Sequence, residues 1–263
     1  MIEHVEFQVA TKTRRVRVVR TGQVAPDAPI VLLMHGAYQT SATVVARSHA
    51  AEFVATSGAV VMAPDGLDRM WRSDRDPTDQ GGDIQLMETM IAYARTTFEL
   101  HPGGRVIAAG FSNGGMFAMR LACQRPELIN GALSVAGSMR RSIVGCTEGD
   151  GNLDRVTFVH GTHDLVINAR RPDHSVIGLL IGGSFVRGVL PLDEATERWC
   201  DMLDLTEHDG LAETAGAATI RTWSGGDHGL VLRQRVLPGA FHGWVPGATD
   251  ELLLMLQPVN DNV

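Results

Sequence analysis

The sequence predicts an α/β fold, with a mostly parallel central sheet, helices on both faces and an antiparallel hairpin at the N-terminus. Three observations carry that expectation. Short, wholly apolar runs such as Ile30–Met34 and Ala59–Met62 have the make-up of strands covered on both faces. These runs alternate with segments whose apolar residues recur at helical spacing, the pattern of parallel strands joined by crossover helices. At one junction a strand, the pentapeptide Gly110-Phe111-Ser112-Asn113-Gly114 and a helix follow one another without a break.

Residues 3–10 and 14–20 pair as the hairpin, turning at Thr11-Lys12-Thr13. The basic run from Lys12 to Arg17 alternates with apolar residues and reads as the solvated face of an edge strand rather than a binding patch. After the loop Gly22–Pro29 comes the strand Ile30–Met34. A helix that Ser41 can cap then runs through about Thr56, and Ala59–Met62 is the next strand. Pro64–Gly82, rich in Asp, Arg, Pro and Gly, is a long loop. Asp83 opens a helix with Ile84, Met87, Met90, Ile91 and Ala94 along one side. The strand Arg105–Ala109 and the helix from Gly115 flank the pentapeptide. Strands follow at Gly131–Val135 and Arg155–Val159, a helix at Leu192–Leu203, a strand pair at 218–223 and 229–237, and a closing helix at Asp250–Leu256.

Bulk properties narrow the classes. A chain of 263 residues can bury a full core, and 44% hydrophobic with 20% charged residues describes an ordinary globule, read as one domain over 1–263. A net charge of −7 argues against nucleic acid or an anionic membrane as partner. No apolar stretch approaches the ~18 residues of a membrane span, and the N-terminus lacks the basic start and apolar core of a signal peptide. Three widely spaced cysteines, Cys123, Cys146 and Cys200, suit reduced thiols with room for one disulfide, and a cytoplasmic location is expected.

The pentapeptide carries the chemistry. A sharp strand-to-helix turn holds a serine hydroxyl clear of the sheet edge, and glycines two residues before and after it avoid collision with strand and helix. Ser112 is therefore the candidate nucleophile. It needs a base, and the base needs a group that fixes its tautomer; in this architecture the order is serine, acid, histidine. Asp164 stands just past the strand ending at Val159, whereas Asp173, Asp193 and Asp201 sit in a variable segment or a surface helix. Of the later histidines, His242 alone follows a strand into a Gly/Pro-rich loop; His174, His208 and His228 do not. An oxyanion would be held by the backbone N–H of Asn113 at the helix start and by that of Ala37 in His35-Gly36-Ala37-Tyr38, with Tyr38 the fallback. A metal held by His160, His163 and Asp164 is disfavoured, because successive strand-end residues point in different directions. No metal or cofactor is expected.

Taken together, these segments resemble the polyhydroxybutyrate depolymerase and feruloyl esterase branch of the α/β-hydrolases. The resemblance lies in Gly110–Met116, in Gly131–Gly137 after it, in His160-Gly161-Thr162-His163-Asp164, and in Phe241-His242-Gly243-Trp244-Val245-Pro246-Gly247, where Val245 interrupts the branch's Trp-Pro-Gly. It implies the α/β-hydrolase fold and serine-dependent hydrolysis of small or polymeric carboxylic esters without a cofactor, with Tyr38 and Trp244 at the substrate. Thioesterase, peptidase or acyltransferase chemistry on the same triad is the alternative, with a non-catalytic binding protein behind it. Within residues 166–190, the apolar stretch Ser175–Gly183 reads either as packing against the core or a homodimer partner, or as a lid or acyl-binding wall.

Overall fold

The computed structural model describes residues 1–74, 79, 81–143, 152–170, 186–207, 213–215, 217–225 and 230–259. The hairpin strands β1 (Ile2–Val9) and β2 (Lys12–Val19) pair antiparallel, and β2 continues antiparallel onto β4 (Val60–Pro64). From β4 the sheet runs parallel through β3 (Ile30–Met34), β5 (Val106–Phe111), β6 (Gly131–Val135), β7 (Arg155–Gly161) and β11 (Leu230–Leu237). Antiparallel β10 (Ala218–Gly225) follows, carrying the short strands β8 (Leu205–Glu207) and β9 (Glu213–Ala215).

Both faces of the parallel strands are buried, which explains their continuous apolar runs. Along β3, Ile30, Leu32 and Met34 point into one core and Val31 and Leu33 into the other. The first core is covered by α3 (Asp83–Thr97), α4 (Asn113–Gln124) and α5 (Leu192–Leu203), through Met87, Met90, Phe117, Leu121 and Trp199. The second lies beneath α1 (Ser41–Arg47), α2 (Ala50–Ser57) and α6 (Ala248–Met255), through Val45, Phe53, Val54 and Leu252.

Four local expectations need correction. The helix from Ser41 is two helices, because His49 turns left-handed at φ 52° and re-aims the chain so that Ala50, Phe53 and Val54 face the sheet. Ser41 does not cap it; Thr40 is the N-cap, and the Ser41 N–H donates to Asp65 Oδ1 at 2.7 Å. The basic strand is not an edge, since β1 lies outside it, and Arg14 is buried with its guanidinium 2.9 Å from Asp83. Finally, Cys123 is disulfide-bonded and Cys200 is a half-buried thiol, so the preference for reduced thiols gives way at Cys123 to the one bridge the sequence leaves room for. Among the described residues no helix is long and apolar enough to cross a membrane. The stretch Ser175–Gly183, together with Asp173, His174, His208 and His228, lies outside the described residues.

Candidate active site

The carboxyl ends of β3, β5, β7 and β11 meet at one edge of the sheet, where ligands bind in open parallel sheets. Ser112 follows β5 and precedes α4 with φ 54° and ψ −117°, a conformation that costs a residue with a Cβ about 1–3 kcal/mol. Its neighbours hold it there: its N–H donates to Val135 O at 2.8 Å, and its carbonyl accepts the Met116 N–H at 3.0 Å. The outer glycines are required by contact. A Cβ on Gly110 would stand 2.2 Å from Gly114 C, and one on Gly114 2.5 Å from Met34 O and His35 O.

Asp164 follows β7 with its side chain fully buried. Oδ1 accepts the N–H groups of Val166 at 2.9 Å and Ile167 at 2.8 Å. Oδ2 stands 2.7 Å from His242 Nδ1 and 3.3 Å from His160 Nε2. His242 follows β11, and its ring lies 4.9 Å from that of Phe111, the residue before Ser112. The acid and histidine loops are laced together: Thr162 N–H donates to Leu237 O at 2.9 Å, His163 N–H to Ala240 O at 3.0 Å, and Gly239 N–H to Thr162 Oγ1 at 2.9 Å. The structure thus brings Ser112, Asp164 and His242 to one end of the sheet. Nδ1 of His242 is engaged by the carboxylate, which leaves Nε2 as the nitrogen that can take a proton.

Asn113 begins α4, so its backbone N–H is among the first four of the helix, which lack intrahelical partners. Its side chain is committed elsewhere, accepting from Trp71 N–H at 2.7 Å and donating to Trp71 O at 3.0 Å. On the facing loop, the Tyr38 N–H donates to Arg69 O at 2.8 Å, which removes the fallback donor and leaves Ala37 as the candidate. His35 sets that loop. Its Nε2 accepts the Gly66 N–H at 2.9 Å, so Nδ1 carries the proton and donates to Gly36 O at 2.7 Å. Burial holds the His35 imidazole below its ordinary range, in keeping with this neutral tautomer.

Tyr38 is half exposed beside Ala37, and Leu165 and Phe241 are exposed beside Asp164 and His242, making an apolar rim. Trp244 takes a different place. Its Nε1 donates to Thr249 Oγ1 at 3.0 Å, and its ring packs on the second core, anchoring the histidine loop. His160 and His163 diverge: one is buried against Ile167 O, the other is bonded to Thr162 Oγ1 and packs edge-on to Phe241. Among the described residues no group of three His, Cys, Asp or Glu could hold a metal ion.

Sequence reasoning missed Trp71, and it named His35 and His160 without the hydrogen bonds they make. Trp71 Nε1 donates to His35 O at 2.9 Å while its ring stacks on Phe117 at 5.4 Å. A lone Trp in a polar loop was the available signal, because so large an apolar ring is seldom left in solvent.

No model of a known family matches the chain. It is 27% identical over 141 residues to NocK of Nocardia uniformis subsp. tsuyamanensis, an esterase by name, covering 51% of this chain and 41% of that protein. It is 24% identical over 237 residues to the bifunctional acetylxylan esterase/xylanase XynS20E of Neocallimastix patriciarum, covering 90% of this chain and 32% of that protein. The chain thus spans well under half the length of these curated relatives. Among solved structures, the acetyl xylan esterase from Aspergillus awamori superposes with a TM-score of 0.71 at 16% identity, covering 98% of this chain and 100% of that one. With this likeness added to the strand order and the strained serine turn, the chain has the α/β-hydrolase fold.

Proposed function

We propose that the protein hydrolyses carboxylic esters through an acyl-enzyme on Ser112. The observation that carries this reading is the 2.7 Å contact between Asp164 Oδ2 and His242 Nδ1 beside the strained serine turn. His242 Nε2 takes the proton of Ser112 Oγ as the oxygen attacks the ester carbonyl. The N–H groups of Ala37 and Asn113 hold the oxyanion, each worth about 3 kcal/mol at the transition state. Return of the proton to the alkoxide expels the alcohol, and water activated by the same imidazole releases the acid. Asp164 keeps the proton on Nδ1 and stabilises the imidazolium.

For the substrate, we favour short acyl groups on a carbohydrate polymer over the polyester and feruloyl esters of the branch the sequence resembles. Two matched proteins are acetylxylan esterases by name, and Tyr38 and Phe241 offer exposed aromatic faces beside the site. The disulfide at Cys123 fits an oxidising compartment better than the cytoplasm.

The test is turnover of p-nitrophenyl acetate, acetylated xylan, a feruloyl ester, an acyl thioester and an anilide by wild type and Ser112→Ala. Wild type should favour the two acetyl esters in kcat/KM. Ser112→Ala should lose about 10³-fold or more in kcat and all labelling by a fluorophosphonate. Preference for the thioester or anilide moves the reaction class, and turnover by the alanine variant within tenfold of wild type rejects the nucleophile.

A further inference from the structure

His160 is the second imidazole at the acid, and the relay described above does not use it. It sits in β7 with no solvent exposure, on the strand face that also carries Val156 and Phe158 into the first core. An apolar residue would suit that position, and burying an imidazole is unfavourable unless its nitrogens are bonded. Each ring nitrogen faces a backbone carbonyl: Nε2 lies 2.8 Å from Ile167 O, and Nδ1 lies 3.3 Å from Gly137 O. A neutral ring has one N–H, and the shorter contact takes it, so Nε2–H donates to Ile167 O.

Ile167 is held at three points. Its carbonyl accepts from His160, its N–H donates to Asp164 Oδ1, and its side chain packs with Met116 in the first turn of α4, next to the serine turn. The bond from His160 therefore closes the turn from Asp164 to Ile167. That turn directs two N–H groups at Oδ1 and leaves Oδ2 facing His242. On its other side, His160 meets Gly137, where a Cβ would stand 2.7 Å from Ser112 O. One ring thus spans the acid loop and the segment under the nucleophile.

We infer that His160 is a positioning residue of the catalytic acid, whose Nε2–H locks the Asp164–Ile167 turn so that Oδ2 is presented to His242 Nδ1. The inference rests on the triad reading above for its meaning in catalysis, but its geometry can be tested without turnover.

The experiment compares His160→Gln, His160→Asn and His160→Leu. A Gln amide nitrogen reaches the position of Nε2, an Asn amide only that of Nδ1, and Leu supplies neither donor. The proton resonance of His242 Nδ1–H, assigned by its absence in Asp164→Ala, reports the bond to the carboxylate directly. It should persist in wild type, His160→Gln and the control Ser112→Ala, and be lost or broadened in His160→Asn and His160→Leu. On p-nitrophenyl acetate, His160→Asn and His160→Leu should lose about 10²-fold in kcat with KM little changed, and Gln should recover most of it. Should Leu prevent folding, Asn, whose amide can donate to Gly137 O but not reach Ile167 O, still decides the matter. Folded His160→Asn and His160→Leu variants with the wild-type resonance and kcat, and only a lower Tm, would reduce His160 to a core packing residue. An inactive wild type with the resonance pattern intact would reject the esterase reading and leave the positioning role standing.

Discussion

Asp164→Asn isolates the part of the site that holds the base. The carboxylate has two kinds of partner: Oδ1 accepts two backbone N–H groups, and Oδ2 faces His242 Nδ1 at 2.7 Å. An asparagine that keeps its carbonyl oxygen on Val166 and Ile167 preserves the turn, and its NH₂ then occupies the place of Oδ2. Two donors cannot face each other, so His242 Nδ1 must give up its proton and accept. The proton moves to Nε2, and the imidazole no longer has a lone pair for Ser112. Loss of the correct tautomer in a Ser-His-Asp enzyme lowers kcat by about 10⁴, or about 5.4 kcal/mol of barrier. Stability should change little, because both N–H groups keep an acceptor. Asp164→Ala, by contrast, orphans them at about 1–3 kcal/mol each. Steady-state kinetics on p-nitrophenyl acetate and thermal melts by circular dichroism read the two effects separately. An Asp164→Asn enzyme within tenfold of wild-type kcat would show that this carboxylate does not govern the base.

Two further outcomes follow from the same geometry. Gly114→Ala places a methyl 2.5 Å from Met34 O and His35 O, backbone atoms that cannot yield, so it should cost about 1–3 kcal/mol or more and remove activity; a wild-type melt with full turnover would contradict the close approach. Burial also lowers the proton affinity of His35 and His160 below that of an unfolded histidine near 6.5. As pH falls through that value, the unfolded chain binds protons that the folded chain refuses, so stability present above it is lost, by up to about 1.4 kcal/mol per pH unit for each histidine. Thermal melts between pH 7.5 and 5 should record the decline, with a shallower slope in His35→Asn; an equal slope in that variant would discount His35.

The parallel core and the three catalytic candidates were legible because each is announced locally. Apolar runs mark β3 to β7, glycine spacing marks the serine turn, and Asp164 and His242 stand directly after strands. What stayed hidden depends on residues far apart in the chain. Arg14 looks like a surface cation until Asp83, 69 residues away, takes it into the core. The break at His49 carries neither glycine nor proline, and nothing near Ser41 reveals that Asp65 engages its N–H. Trp71 and His160 act through carbonyls of other segments, which no side-chain motif can encode.

The order β5-β6-β7-β11 sets when the proposed site can first be complete during folding. Asp164 and His242 are 78 residues apart in the chain, yet their contact depends on two strands lying side by side. Such distant pairing is slow to form, since the intervening chain must be closed into a loop before any contact rewards it. The serine turn needs only β3, β5 and β6, through Val135 O and the Met34 and His35 carbonyls, but its proposed base arrives only when β11 docks on β7. Under the proposed chemistry, regained turnover after dilution from denaturant reports the docking of the last parallel strand, and a nascent chain gains its base only once β11 has joined the sheet.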